Sequence, residues 1–186
     1  MTSVTENTEP FYLSALVLPV PMDQNPVTAI REKYTVDGKR GLMPHLSLVY
    51  PFVRNWDSYQ VLKQSLQVFF SQQQPVSITF SSLEKDPTRK LLYLKPSPNK
   101  DVDKLMAGCY AIWQEKVPVT FLHLTLAKAK NVEQLHKIEL EFGDAVRNLL
   151  PFTVEIPQAW FCAERDREWH IFDQLNFKNP SSVESY

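Results

Sequence analysis

Two four-residue segments, His45-Leu46-Ser47-Leu48 and His123-Leu124-Thr125-Leu126, share one pattern and constrain this chain more than any other feature. Each alternates a polar residue with a leucine, the period-two signature of a strand with one face in the core. Side chains two positions apart share a face, which sets His45 beside Ser47 and His123 beside Thr125. Leu46, Leu48, Leu124 and Leu126 then anchor the opposite faces. From average composition, two such tetrapeptides in one chain of this length are an accident of roughly one in a thousand.

The surroundings repeat too. Phe11 to His45 is 34 residues and Leu91 to His123 is 32, while His45 to Val76 and His123 to Val154 are both 31. Alternation predicts strands over 11–18, 45–50, 76–83, 91–95, 121–127, 152–156, 159–164 and 168–175. Cap residues predict four helices: after Asn25 with Pro26 at the first position, after Asp57 with Gln60, after Asn99, and after Asn131 with Gln134. Each half reads strand, helix, histidine strand, helix, strand. The expected fold is α+β, two pseudo-symmetric lobes whose antiparallel sheets line a central cleft with helices outside. One bilobal domain over 10–177 is expected, between loose polar ends at 1–9 and 178–186.

Composition removes several alternatives. Only Gly38, Gly41, Gly108 and Gly143 occur, so neither G-x-G-x-x-G nor a P-loop can be written. No H-E-x-x-H or paired C-x-x-C spacing suggests a metal, and no cofactor is expected. A net charge of −1 argues against tracking long nucleic acid and favours a short or end-specific substrate. No apolar run approaches membrane-spanning length, and MTSVTENTEP lacks the order of a signal peptide. A cytoplasmic monomer is expected, with no membrane partner. Cys109 falls on the apolar stripe of the third helix and reads as a core residue.

Paired imidazoles suit phosphodiester cleavage. The attacking oxygen must lose a proton and the leaving oxygen must gain one, and histidine titrates near ~6.5. Two imidazoles flanking the phosphorus place acid and base for in-line attack. The Ser47 and Thr125 hydroxyls can donate to the non-bridging oxygens.

The segments PHLSLVYPF (44–52) and LHLTLAK (122–128) closely resemble the two H-x-[ST]-x signatures of the 2H phosphoesterase superfamily, in its 2′-5′ RNA ligase-like branch. The resemblance covers about residues 11–177 and implies a bilobal LigT-like fold around a cleft. It implies hydrolysis of a 2′,3′-cyclic phosphate on a nucleotide or RNA end, or action on a 2′-5′ linkage. His45 and His123 become the acid/base pair and Ser47 and Thr125 the phosphate ligands. By analogy His123 activates water and His45 protonates the leaving oxygen. Many relatives carry Pro before both histidines; Pro44 matches, but Leu122 departs. A non-catalytic RNA or nucleotide binder, and a phosphodiesterase for an ADP-ribose-derived cyclic phosphate, stay open as alternatives.

Further candidates flank the motifs. Tyr50, Phe52, Trp56 and Tyr93 offer stacking surfaces for a base, Phe52 foremost because it follows the first motif. Arg54, Lys128 and Lys130 are candidates for a flanking phosphate, although Lys128 has the wrong parity to share a face with His123 unless the strand ends or twists. His136 reads as a surface residue and His170 as a structural one in the closing strand.

Overall fold

The computed structural model describes residues 10–22, 26–116 and 121–178. Within these described residues eight strands and five helices follow in order: β1 (Ser14–Pro19), α1 (Val27–Tyr34), α2 (Val36–Lys39), β2 (His45–Val49), α3 (Trp56–Ser71), β3 (Val76–Asp86) and β4 (Leu91–Pro96), then α4 (Lys100–Trp113), β5 (Leu124–Lys128), α5 (Val132–Arg147), β6 (Phe152–Ile156), β7 (Gln158–Arg165) and β8 (Glu168–Asn176). They form two four-stranded antiparallel sheets, β2-β1-β7-β8 and β5-β4-β3-β6. The expected α+β fold is therefore present, with each histidine strand at one edge of its own sheet. Among the described residues, no helix is long and apolar enough to cross a membrane.

The halves are related differently from the expected repeat. The strand after the first motif, β3, leaves the first half and pairs with β4 of the second; β7 returns to pair with β1 of the first. Sheet position thus matches β3 with β7. The equal 31-residue spacings instead matched β3 with β6, which are neighbours in one sheet. The helices cross over too: α1 packs on β5 and α4 on β2. One core accordingly joins both sheets, including Leu46, Leu48, Leu124 and Leu126.

Side-chain caps account for three of the four expected helix starts, one of them at a different residue, and the first helix begins without one. Asn99 and Asn131 accept amide hydrogens as expected, from Asp101 and Val102 and from Gln134. The Gln134 carboxamide answers one residue earlier, accepting the Lys130 amide at 2.7 Å. The second helix is capped by Asn55, which accepts from Ser58, and Asp57 lies inside the first turn, where its charge suits the helix dipole. Asn25 and most of both polar ends lie outside the described residues, and Pro26 stands at the N-cap of α1 without a side-chain bond.

The short α2 escaped the periodicity reading because four residues cannot display a 3.6-residue period. Thr35 caps it by accepting the Gly38 amide. A Cβ at Gly38 would lie 2.5 Å from the Arg31 carbonyl oxygen, so the glycine lets α2 fold back onto the end of α1. Cys109 is buried as expected, and Cys162 is buried too, both thiols pushed up to about 12 by burial. His136 is on the surface; His170, expected to be structural, is also exposed, because Trp169 is the residue that β8 turns inward.

Replacing the Asn131 cap by alanine is expected to cost about 1 kcal/mol. Thermal unfolding should show it as a drop of a few degrees with an unchanged fold.

Candidate active site

A cleft of about 380 Å³ lies between the two histidine strands, within the roughly 300–1,000 Å³ of small-molecule sites. His45, Ser47, His123 and Thr125 all line it, so the structure brings together the four residues of the two motifs. Strand alternation does the placing. Leu46 and Leu124 are fully buried behind the sheet and turn their neighbours toward the cleft.

The two imidazoles are held alike. His45 Nδ1 lies 2.8 Å from the Met43 carbonyl, and His123 Nδ1 lies 3.0 Å from the Phe121 carbonyl. A carbonyl can only accept, so each Nδ1 carries the proton and donates it. Each Nε2 is then the basic nitrogen of the neutral ring. Burial depresses the His45 pKa most, with the Arg31 charge and His123 adding to it, down to about 3. The Met43 hydrogen bond opposes this shift. His123 is lowered as well, by burial first and by Arg89 next, against its own bond to Phe121. Phe121 stacks on His123 at 4.5 Å and Tyr93 meets its edge at 5.6 Å.

A one-residue bulge in each histidine strand decides what lies beyond the motifs. Consecutive residues Leu16 and Val17 face Val49 and Ser47, and Leu92 and Tyr93 face Ala127 and Thr125, so each strand carries one extra residue. An extra residue shifts the alternation by one place. The fifth residue after each histidine, Tyr50 or Lys128, consequently lines the cleft. This reverses the parity that set Lys128 apart from His123. Tyr50 is 49% exposed and presents a ring to solvent.

Other candidates go elsewhere. Phe52 is only 5% exposed and packs edge-on against Trp113 and Phe161, so it belongs to the core and not to the cleft. Arg54 is exposed but does not line the cleft, nor does Lys130. Trp56 packs with Tyr59 and Phe172 away from it. Tyr93 reaches the site only through its edge contact with His123. The departure from the proline pattern, Leu122, is a half-buried residue of the cleft wall.

Sequence reasoning missed Arg31, Asp37, Tyr110 and Trp169, which all line the cleft. Arg31 is only 2% exposed and donates to the carbonyls of Thr125, Leu42 (3.1 Å) and Met43 (3.3 Å). Its signal was present: it shares the buried stripe of α1 with Val27 and Ile30, where a cation is out of place. Asp37 accepts from the Trp169 indole at 3.2 Å. Among the described residues, no group of three or more His, Cys, Asp or Glu side chains is placed to hold a metal ion.

Residues 19–161 match the family model of the 2′-5′ RNA ligase superfamily, and the chain belongs to that superfamily. No curated protein matches it. Among solved structures it is similar to E. coli LigT in apo form, with a TM-score of 0.63 and 11% identity over 92% of this chain and 100% of LigT. LigT complexed with 3′-AMP aligns with a TM-score of 0.58 at 10% identity over 92% and 100% of the two chains. A structure described as a phosphoesterase aligns with a TM-score of 0.58 at 12% identity over 90% and 99%. At these identities the structural likeness concerns the fold; membership of the superfamily supports a phosphoesterase activity.

The depressed imidazoles carry a stability consequence. A histidine whose folded pKa lies below its unfolded value of ~6.5 binds protons preferentially in the unfolded state, so stability is lost as pH falls below ~6.5. For His45 the loss continues down toward about 3. Between pH 6.5 and 5, before most carboxylates titrate, the melting temperature of the wild type should fall more steeply than that of His45→Gln.

Proposed function

We propose that this protein is a phosphodiesterase that opens a 2′,3′-cyclic phosphate on a nucleotide or RNA end, or acts on a related 2′-5′ linkage, with the two imidazoles making both proton transfers. The observation that carries this reading is the matched tethering of the two rings. Each donates Nδ1–H to the carbonyl two residues upstream, leaving two basic nitrogens and two hydroxyls in one cleft.

In the reaction, one Nε2 takes a proton from the attacking water as its oxygen adds to phosphorus. The other imidazolium gives a proton to the ribose oxygen as its bond to phosphorus breaks. Ser47 and Thr125 donate to the non-bridging oxygens, whose charge grows in the transition state. The family resemblance implies His123 as base and His45 as acid, and the pH profiles of the two alanine variants test that split. Tyr50 and Lys128 offer a stacking face and a cation to the rest of the substrate. One chain supplies both halves of the site, so a monomer suffices, and we place its work in the cytoplasm. The nucleotide ligands of LigT, 3′-AMP, ATP and NADP+, are consistent with a nucleotide-sized occupant here too.

Hydrolysis of 2′,3′-cyclic nucleotides and of a short RNA ending in a cyclic phosphate, followed by phosphorus NMR, tests the proposal. His45→Ala and His123→Ala should each lose about 10²–10⁴-fold in kcat. Because both pKa values lie below the ordinary range, kcat/KM should decline as pH rises above ~6.5. Loss of the alkaline limb from the residual activity of one alanine variant would mark that histidine as the acid, and loss of the acid limb from the other would mark the base. Variants as active as the wild type would refute the assignment. Binding of the cyclic compounds without turnover would favour a nucleotide binder, and turnover confined to ADP-ribose-derived cyclic phosphates would move the substrate.

A further inference from the structure

Arg31 is the one charged side chain among the described residues that bonds to both motif regions. Its Nη1 donates to the carbonyl of Thr125, the phosphate-binding candidate of the second motif. Its Nη2 donates to the carbonyls of Leu42 and Met43, just ahead of the first motif. The Met43 oxygen also receives the Nδ1–H of His45, so guanidinium and imidazole share one acceptor. The residue is 2% exposed, and among the described residues no carboxylate lies within ion-pair distance of it. Its Nε is buried and has no hydrogen-bond partner. Asp37 acts on it only at longer range.

A buried cation without a counter-ion is costly, and proteins keep one where geometry or a ligand repays the cost. Carbonyl dipoles stabilise this charge without neutralising it. Burial lowers the Arg31 pKa only to about 10, so it remains charged at neutral pH. The cleft floor therefore carries a fixed positive charge between the two histidine strands, where the proposed substrate brings a phosphate anion.

Resting on that phosphodiesterase reading, we infer that Arg31 is a positioning residue of the reaction: its fork of donors holds the two motifs in mutual register, and the substrate phosphate is the counter-ion its buried charge lacks. It acts through Met43 on the orientation of His45 and through Thr125 on the second phosphate ligand. A lysine would keep the charge but cannot span three carbonyls, because it lacks the planar fork.

The test compares Arg31→Lys and Arg31→Met with the wild type in three readouts: steady-state hydrolysis of a cyclic nucleotide, the dissociation constant of inorganic phosphate, and the NMR titration of the His45 ring. The titratable and charged groups that share the cleft with His45 are Arg31 on α1, Asp37 on α2, Tyr50 just past β2, Tyr110 on α4, and His123 and Lys128 on the β5 side. Of these, only Arg31 changes. Arg31→Lys should hold phosphate within about threefold of wild type and leave the His45 titration low, yet lose roughly 10–100-fold in kcat through misplacement. Arg31→Met should lose kcat similarly, weaken phosphate binding about tenfold or more, and raise the His45 midpoint by about one pH unit.

A role in stability alone would lower the melting temperature and leave the pH behaviour and phosphate affinity of the folded fraction untouched, which would overturn the inference. Wild-type kcat in folded Arg31→Lys would overturn it equally, and that variant decides the matter if Arg31→Met does not fold. The phosphate and titration readouts need no turnover. If the wild type hydrolyses nothing while both still respond to Arg31→Met, the substrate reading fails and the counter-ion role of Arg31 stands.

Discussion

The Arg31 guanidinium sits where the two halves of the molecule must agree. Most of their contact is apolar and non-directional: leucines behind both motifs share one core, and such packing tolerates small slides of one sheet against the other. Hydrogen bonds from one planar group to Thr125 on one side and to Leu42 and Met43 on the other do not tolerate them. The helix that carries Arg31 precedes the first motif yet packs on the strand of the second. That crossing lets a residue of the first half reach the backbone of the other.

Exchange between the halves is general here. β3 and β7 each cross to the other sheet, and α1 and α4 each lie against the other half's histidine strand. Neither half could therefore complete its sheet alone, and the cleft between them has walls tied by continuous backbone. The bulges at the two edges obey the same symmetry, and they deliver unlike residues, Tyr50 and Lys128, to equivalent places. A symmetric frame thus acquires an apolar end and a cationic end, which is what an asymmetric ligand requires.

The electrostatics of the cleft follow from that geometry. Both imidazoles are desolvated by the walls that position them, and His45 also feels the neighbouring cation, so both rings titrate below the ordinary histidine range. Each carbonyl tether opposes the shift and selects the tautomer. The same upstream bond recurs at both motifs although Pro44 precedes one histidine and Leu122 the other, so the missing proline does not alter the ring's anchorage.

Much of this was written locally. Alternation placed His45, Ser47, His123 and Thr125 on the faces opposite the buried leucines, and the Asn99 and Asn131 caps marked two helix starts within the chain. These features depend on neighbours within a few residues, so a linear reading recovers them. The misreadings all involve longer reach. Phe52 was expected at the cleft, but Trp113 and Phe161 enclose it; Lys128 had the wrong parity until a bulge corrected it against β4; β6 matched β3 in spacing but not in place. By itself, then, the sequence determined the two histidine–hydroxyl units and the strands that present them, because period-two burial is a local property. Only the tertiary structure decided that Arg31 would bind both units and which flanking residues would face the cleft, because strand exchange and edge bulges depend on partners many residues away.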